Sequence, residues 1–242
     1  MKPKRIIEVD LRQAESRFIA WDGPVSKMQA MYEKDEDIHK YVATHIFRKP
    51  MNEITDLERQ LGKKSGHGAN YKMGPATFAA SCLRDMDLVI SEQRAAGILA
   101  AYFRSWDGEL ERWQQRQVDF VRQHRFLETP FGRKRYFYDR MSPALEREIC
   151  AFKPQATIPD VINCLIRKLF YDRPAVSLKL LMQGHDSVQF ECDPEDELAC
   201  VESCKDQDSW NPTMQLAGGP LRIPIEIKAG WNFKDKEVIF VG

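Results

Sequence analysis

Three observations predict an α+β fold: an apolar strand opens the chain, helical periodicity fills its middle, and strand patterns close it. "RIIEVDLRQAESRFIAW" begins as a strand over Ile6–Val9 that ends at Asp10. A helix follows, its face set by Ala14, Phe18, Ile19 and Trp21. "DEDIHKYVATHIF" reads as a second helix, acidic at its start where the helix dipole favours negative charge, and ended by Pro50. "NEITDLERQLGKK" opens another, with Thr55 or Asn52 as its cap. Residues 91–124 carry one long helical pattern, including Ile98, Leu99, Tyr102, Phe103, Trp106 and Trp113, with an interruption near Asp107-Gly108. "TPFGRKRYFY" is β-prone around Gly132 and reads as a small hairpin, and residues 156–171 read as a helix. In "VSLKLLMQGHDSVQFEC" two strand-like runs flank a Gly-His turn, with Asp186 at the tip and Val188, Phe190 and Cys192 alternating toward one face. "RIPIEIKAGWNF" adds a last strand pattern, with Ile223, Ile225 and Ile227 alternating.

A chain of 242 residues, 43% apolar and 30% charged, can bury a core as one large domain or two small ones. No apolar run approaches the ~18 residues of a membrane span. "MKPKRIIEVD" lacks the apolar core of a secretory signal, so an intracellular, cytoplasmic protein is expected. The six cysteines contain no C-x-x-C pair and no zinc-finger spacing. Cys200 and Cys204 fall one helical turn apart in an acidic stretch, but buried reduced thiols are the expectation over a metal or redox site. Net charge is zero yet segregated. Arg112, Arg116, Arg122, Arg125, Arg133, Lys134 and Arg135 crowd residues 112–135, and acids crowd 191–208. Both blocks also fit ordinary solvated faces, so the basic one counts only beside other signs of a polyanion.

Two further features point to chemistry. Asp10 and Asp186 each sit at the end of a strand, and strands of one sheet can hold two such carboxylates a few ångströms apart. Like charges that close need a cation, and hard oxygen ligands select Mg²⁺; two such ions ~3.5–4 Å apart make a clamp for in-line phosphoryl displacement. An aspartate at a turn is also common for local reasons alone. "RQLGKKSGHGANY" places Arg59, Lys63, His67 and Tyr71 four residues apart, so their side chains trace one slowly winding stripe on a helix. Arg59 and Lys63 could hold phosphates, His67 a sugar and Tyr71 a base, with Gly68 clearing space for a flat base pair. The same stripe equally fits a solvated helix face with Tyr71 as a core anchor.

The combination resembles the C-terminal part of the family A DNA polymerases. "VDLRQAESR" is similar to that family's first metal motif, D-x-S-Q-x-E-x-R, and "RQLGKKSGHGANYKMG" to its nucleotide-binding helix, R-x-x-x-K-x-x-x-[FY]-G-x-x-Y-G. "RFLETPFGRKRYFYD" is similar to the T-x-x-G-R-R-R hairpin, and "REICAFKPQATIPDVIN" to the R-x-x-x-N-x-P-x-Q-G-T-A-A-D-I segment. "QGHDSVQFE" is similar to the V-H-D-E second metal motif. The five matches keep the family's order from about residue 5 to residue 193.

The resemblance implies a small antiparallel palm sheet carrying the aspartates, over residues 1–30 and 141–242, and a mostly helical fingers subdomain over 31–140. It implies that Asp10, Asp186 and the Leu11 carbonyl bind two Mg²⁺ ions, with Mn²⁺ as a possible substitute. Arg59, Lys63 and His39 would contact the triphosphate of a dNTP, and His67 would sense the sugar. Gln13 would lie near the nucleotide, Tyr71 beside the templating position, and Glu15 would partner Tyr71 and block a ribose 2′-hydroxyl. Arg147, Gln155 and His185 would touch the primer-template DNA. Departures are Arg12 for Ser, His67 for Phe or Tyr, Lys72 for Gly, Ala151 for Asn and Ser187 for an acid, closer to the looser motifs of phage enzymes. Thumb and exonuclease regions precede the first metal motif in the family, so the chain is expected to be either one subunit of a split polymerase or an excised piece, with a partner polypeptide carrying thumb and exonuclease that completes the palm sheet and covers Ile6–Val9. A non-catalytic nucleic-acid-binding relic of the fold is the competing expectation. A small metal-dependent nuclease would explain the carboxylates but neither the Arg59–Tyr71 stripe nor Glu15.

Overall fold

The computed structural model describes residues 3–172 and 177–242. Strand β1 (Arg5–Leu11) is the middle of a five-stranded sheet. Its neighbours are β5 (Ser187–Cys192) and β8 (Ile225–Gly230), while β4 (Lys179–Gln183) and β9 (Lys236–Val241) form the edges. Every pairing is antiparallel. Alternation along the three central strands divides the sheet into two faces. Ile7 stands opposite Phe190 and Ala229, Val9 opposite Val188 and Ile227, and Leu11 opposite Ile225, all of them buried. The other face is polar: Glu8 stands opposite Gln189 and Lys228, and Asp10 opposite Ser187 and Glu226.

Helices cover the apolar face. They include α1 (Ala14–Asp22) and α8 (Pro143–Asp172), which pack on each other, and α9 (Glu197–Lys205), which packs on β1. Between them runs a helical unit of α2 (Ser26–Glu33), α3 (Ile38–Phe47), α4 (Asp56–Asn70), α5 (Pro75–Met86), α6 (Glu92–Ser105) and α7 (Glu109–His124). The α6–α7 break falls where Asp107 and Gly108 both take left-handed backbone, at φ 51° and 72°. A hairpin of β2 (Phe126–Glu128) and β3 (Lys134–Tyr136) leads into α8, and a second small one joins β6 (Met214–Leu216) to β7 (Gly219–Leu221).

Several expectations are corrected. The Ile6–Val9 strand needs no partner chain to cover it, because β5 and β8 flank it and Ile7 and Val9 are fully buried. The helix expected over 156–171 starts thirteen residues earlier and runs through Pro154 and Pro159. Ile149 and Phe152 are buried in one cluster before the prolines, and Ile158, Val161, Ile162 and Leu165 in the main core after them, and this burial outweighs the backbone hydrogen bonds two prolines cannot donate. The hairpin's first strand precedes the quoted "TPFGRKRYFY": Thr129–Arg133 is its turn, with Gly132 at φ 79°. Cys82, Cys150, Cys192, Cys200 and Cys204 are buried and Cys164 half-buried, and all six are free thiols, as expected.

Helix α4 is set at its start and at its middle. Thr55 caps it in a reciprocal box with Glu58. Gly62 lets it lie against α3, since a Cβ there would stand 2.4 Å from the His39 carbonyl oxygen. Gly62→Ala gains about 1 kcal/mol of helix propensity, but overpacking against a backbone atom costs about 1–3 kcal/mol. A net loss of up to about 2 kcal/mol is expected, measured as a lower urea midpoint; a midpoint raised by the full propensity gain would show that α3 and α4 separate freely.

Candidate active site

A cleft of about 690 Å³ opens between the polar face of the sheet and the helical unit. Asp10, Gln13, Glu15, His39, Arg59, Lys63, His67, His185 and Asp186 all line it. Of the residues singled out above, Tyr71 closes one end through its hydrogen bond to Glu15, and Arg147 and Gln155 lie outside, exposed on α8 two turns apart.

The floor is built by β1 and the β4–β5 turn. The Leu11 N–H donates to the Asp186 carbonyl at 2.8 Å, which ties the end of β1 to the turn that carries the second aspartate. Gly184 makes that turn tight: its N–H donates to the Ser187 carbonyl at 2.7 Å, and a Cβ on it would meet the Ser187 hydroxyl at 2.7 Å. Burial, and then the nearby Asp186 carboxylate, push the Asp10 carboxyl up to about 6. Glu8 and Glu226 add to the push, and Lys228 opposes it. Glu226 was not foreseen, although the alternation of "IEIK" would place it on the polar face; it pairs with Lys228 at 2.5 Å. Lys236 likewise pairs with Glu8 at 2.6 Å, so these flanking acids are already neutralised and Asp10 is not.

The opposite wall is α4 and the start of α3. Asp37 caps α3, accepting from the N–H groups of His39 and Lys40, and its other oxygen holds Arg59 Nε at 2.7 Å. Burial raises the Asp37 carboxyl, but these hydrogen bonds more than offset it and leave it below its ordinary value. Burial, reinforced by Arg59, lowers His39 to about 4, so its imidazole is neutral at physiological pH and can still donate one N–H. Lys63 and His67 are exposed on the next turns. Tyr71 donates its hydroxyl to Glu15 Oε2, and His185 Nε2 lies 2.7 Å from Glu15 Oε1. Burial, and then the Glu15 charge, keep the Tyr71 phenol protonated. This link joins α1, α4 and the β4–β5 turn.

Gly68 does not face the cleft. It is buried, and a Cβ there would meet Phe78 and Met73 at 3.2 and 3.3 Å, so it serves the packing of α5 on α4. A second groove, of about 680 Å³, lies between the tip of the β2–β3 hairpin, α8 and residues 208–212, and holds none of these residues.

The family model that matches this chain is that of DNA polymerase family A, over residues 1–235. The chain belongs to DNA polymerase family A. Among family A relatives, it is 24% identical over 231 residues to the thermostable DNA polymerase I of Thermus aquaticus, covering 93% of this chain and 26% of that protein. To DNA polymerase I of Borreliella burgdorferi it is 26% identical over 234 residues, covering 93% and 25%. It therefore spans about a quarter of the length of these curated relatives. The POL domain of Pol1 from M. smegmatis, solved in complex with DNA primer-template and dNTP, superposes with a TM-score of 0.77 at 21% identity, over 95% of this chain and 40% of that one. That likeness shows the family A fold.

The two aspartates fit a hard divalent cation. Among the described residues no group of three His, Cys, Asp or Glu side chains converges on one point. Two carboxylates suffice for Mg²⁺, which keeps several waters and takes its other ligands from substrate phosphates. In metal-free buffer, Asp10→Asn should raise the melting temperature at pH 8, where the buried wild-type carboxylate is charged. The folded value of about 6 lies above the ordinary 3.8, so the penalty on wild type is present above 6 and is lost as pH falls toward 3.8. Thermal unfolding should show the advantage of Asp10→Asn vanish by about pH 4.

Proposed function

We propose that this chain carries out templated DNA synthesis, in which the 3′-hydroxyl of a primer attacks the α-phosphate of a dNTP and pyrophosphate leaves. The observation that carries the proposal is the pairing, across one cleft, of Asp10 and Asp186 with the Arg59–Lys63 stripe. Asp10, Asp186 and the Leu11 carbonyl would hold two Mg²⁺ ions, or Mn²⁺ in their place; the metal would supply charge neutralisation at the α-phosphate and a more acidic primer hydroxyl.

The chain's own residues do the rest. Arg59, held in orientation by Asp37, and Lys63 bind the β- and γ-phosphates and stabilise charge that moves onto the leaving group. His39 donates a neutral N–H beside them. Gln13 sits at the turn from β1 into α1 with left-handed backbone, φ 50°, which aims it into the nucleotide cleft. His67 lies by the sugar. Glu15, fixed by Tyr71 and His185, fills the space where a ribose 2′-hydroxyl would sit, and Tyr71 flanks the templating base. Arg147, Gln155 and His185 contact the primer-template. In this reading residues 1–30 and 141–242 act as palm and 31–140 as fingers, in a phage-like variant of the family.

We also propose that a separate polypeptide supplies thumb and exonuclease functions, making this one part of a split polymerase. Leu180 and Met182 on the β4 edge, with Phe170 and Tyr171 near the end of α8, are exposed and offer it an apolar seat. A non-catalytic relic of the fold accounts less well for Asp10, whose charged form is buried beside a second carboxylate at a cost that a bound cation would offset.

Primer extension with Mg²⁺ and four dNTPs tests the proposal. The chain, alone or with its partner, should extend a primer. Asp186→Asn should lower the rate about 10³-fold, and Lys63→Ala about 10²-fold, much of it as a raised KM for dNTP. Wild-type rates for Asp186→Asn would contradict the proposed chemistry.

A further inference from the structure

The β2–β3 hairpin and the end of α7 carry an aromatic ladder that the cleft does not use. His124 lies 4.3 Å, centroid to centroid, from Phe120. Phe120 meets Phe126 at 5.7 Å, Phe126 meets Tyr136 across the hairpin at 5.8 Å, and Tyr136 stacks on Tyr138 at 6.1 Å with ring planes 10° apart. Cross-strand aromatic pairs stabilise short hairpins, and Phe126–Tyr136 is such a pair. That role does not reach the end of the ladder. Tyr138 is 81% exposed and Tyr136 53%, so these rings hide little surface and leave open faces in water.

Exposed cations border the ladder. Residues 122–140 hold Arg122, Arg125, Arg133, Lys134, Arg135 and Arg140 against Glu128 and Asp139, and α8 supplies Glu146, Glu148 and Asp160 as partners for Arg122, Arg135 and Arg133. Several form surface ion pairs, Arg133 with Asp160 at 2.5 Å and Lys134 with Glu128 at 3.4 Å among them, and such pairs are weak enough to give way to phosphates. Open aromatic faces beside exposed cations are what unpaired nucleotides require: bases stack on the rings and the backbone follows the charge.

Ion pairs link the ladder to the end of the helix that lines the cleft. Lys72, next after Tyr71, pairs with Glu146 at 2.6 Å. Arg122 at the end of α7 reaches the same Glu146 at 3.3 Å, and Arg135 of β3 pairs with Glu148 two residues on. One short stretch of α8 thus connects the end of the nucleotide helix to the hairpin.

We infer that Tyr136, Tyr138 and their neighbours form a stacking platform for unpaired DNA adjoining the cleft. The inference deepens the polymerase reading and rests on it. Fluorescence anisotropy tests it with four labelled probes: single-stranded oligo-dT, a blunt duplex, a duplex with a 5′ template overhang, and a duplex with an unpaired flap. Tyr138→Ala should bind oligo-dT about tenfold more weakly than wild type and the blunt duplex equally well, and Tyr138→Phe should retain wild-type affinity. A matching loss on the overhang probe identifies template as the occupant, and one on the flap probe identifies a displaced strand. Unchanged oligo-dT binding by Tyr138→Ala would overturn the inference, as would an equal loss on the blunt duplex. A shift from dimer to monomer with DNA binding intact would also overturn it, marking the ladder as a protein contact. No turnover is needed, so a chain that extends no primer can still pass this test.

Discussion

The structure depends on the antiparallel pairing of β1 with β5 and β8. That register puts Ile7, Val9 and Leu11 on the buried face and Asp10 on the polar one. A slip by one residue would bury Asp10 and expose Val9. The hydrogen bond from Leu11 N–H to the Asp186 carbonyl extends the β1–β5 pairing into the β4–β5 turn and ties together the two segments that carry the aspartates. With β4 and β9 as edges, the strand that carries Asp10 is the best-supported one in the sheet.

The second constraint is the joint between the sheet and the helical unit. Glu15 receives the Tyr71 hydroxyl on one oxygen and faces His185 with the other, so one carboxylate senses both walls of the cleft. Gly62 allows α4 to approach α3 closely enough for Arg59 to reach Asp37. The two walls differ in how their charges are held. On the helical side Arg59 is matched to Asp37, whereas on the sheet side Glu8 and Glu226 are matched by lysines and Asp10 is left under strain from its surroundings. The unmet charge in the cleft is therefore on the aspartates, where a cation would relieve it.

Much of this was legible in the chain itself. The apolar run Ile6–Val9 announced a strand, the alternation of "SVQFEC" one with a single buried face, and i, i+4 spacing put Arg59, Lys63 and His67 on one stripe. The Asp107-Gly108 break was readable because two residues in left-handed backbone end a helix. What could not be read depended on tertiary burial. The α8 helix persists through two prolines because one hydrophobic cluster holds it before them and the main core holds it after them. Gly68 looked like a cleft residue from spacing, yet the direction of a missing side chain is decided by which helix packs there, and that helix is α5. Helices α2 and α5 passed unremarked, although Pro75 after Gly74 is a start signal. Glu226 and Lys228 were invisible as site neighbours because only the sheet order brings "IEIK" beside "VDL", more than two hundred residues away.

The most direct test of the central claim is Mn²⁺ binding followed by the electron paramagnetic resonance of the free ion, with dNTP present. Wild-type protein is predicted to take up Mn²⁺ in a dNTP-dependent manner, and Asp10→Asn and Asp186→Asn each to lose that uptake while remaining folded. Equal Mn²⁺ uptake by wild type and both variants would contradict the account, since the two carboxylates would then not be where the metal and the triphosphate meet.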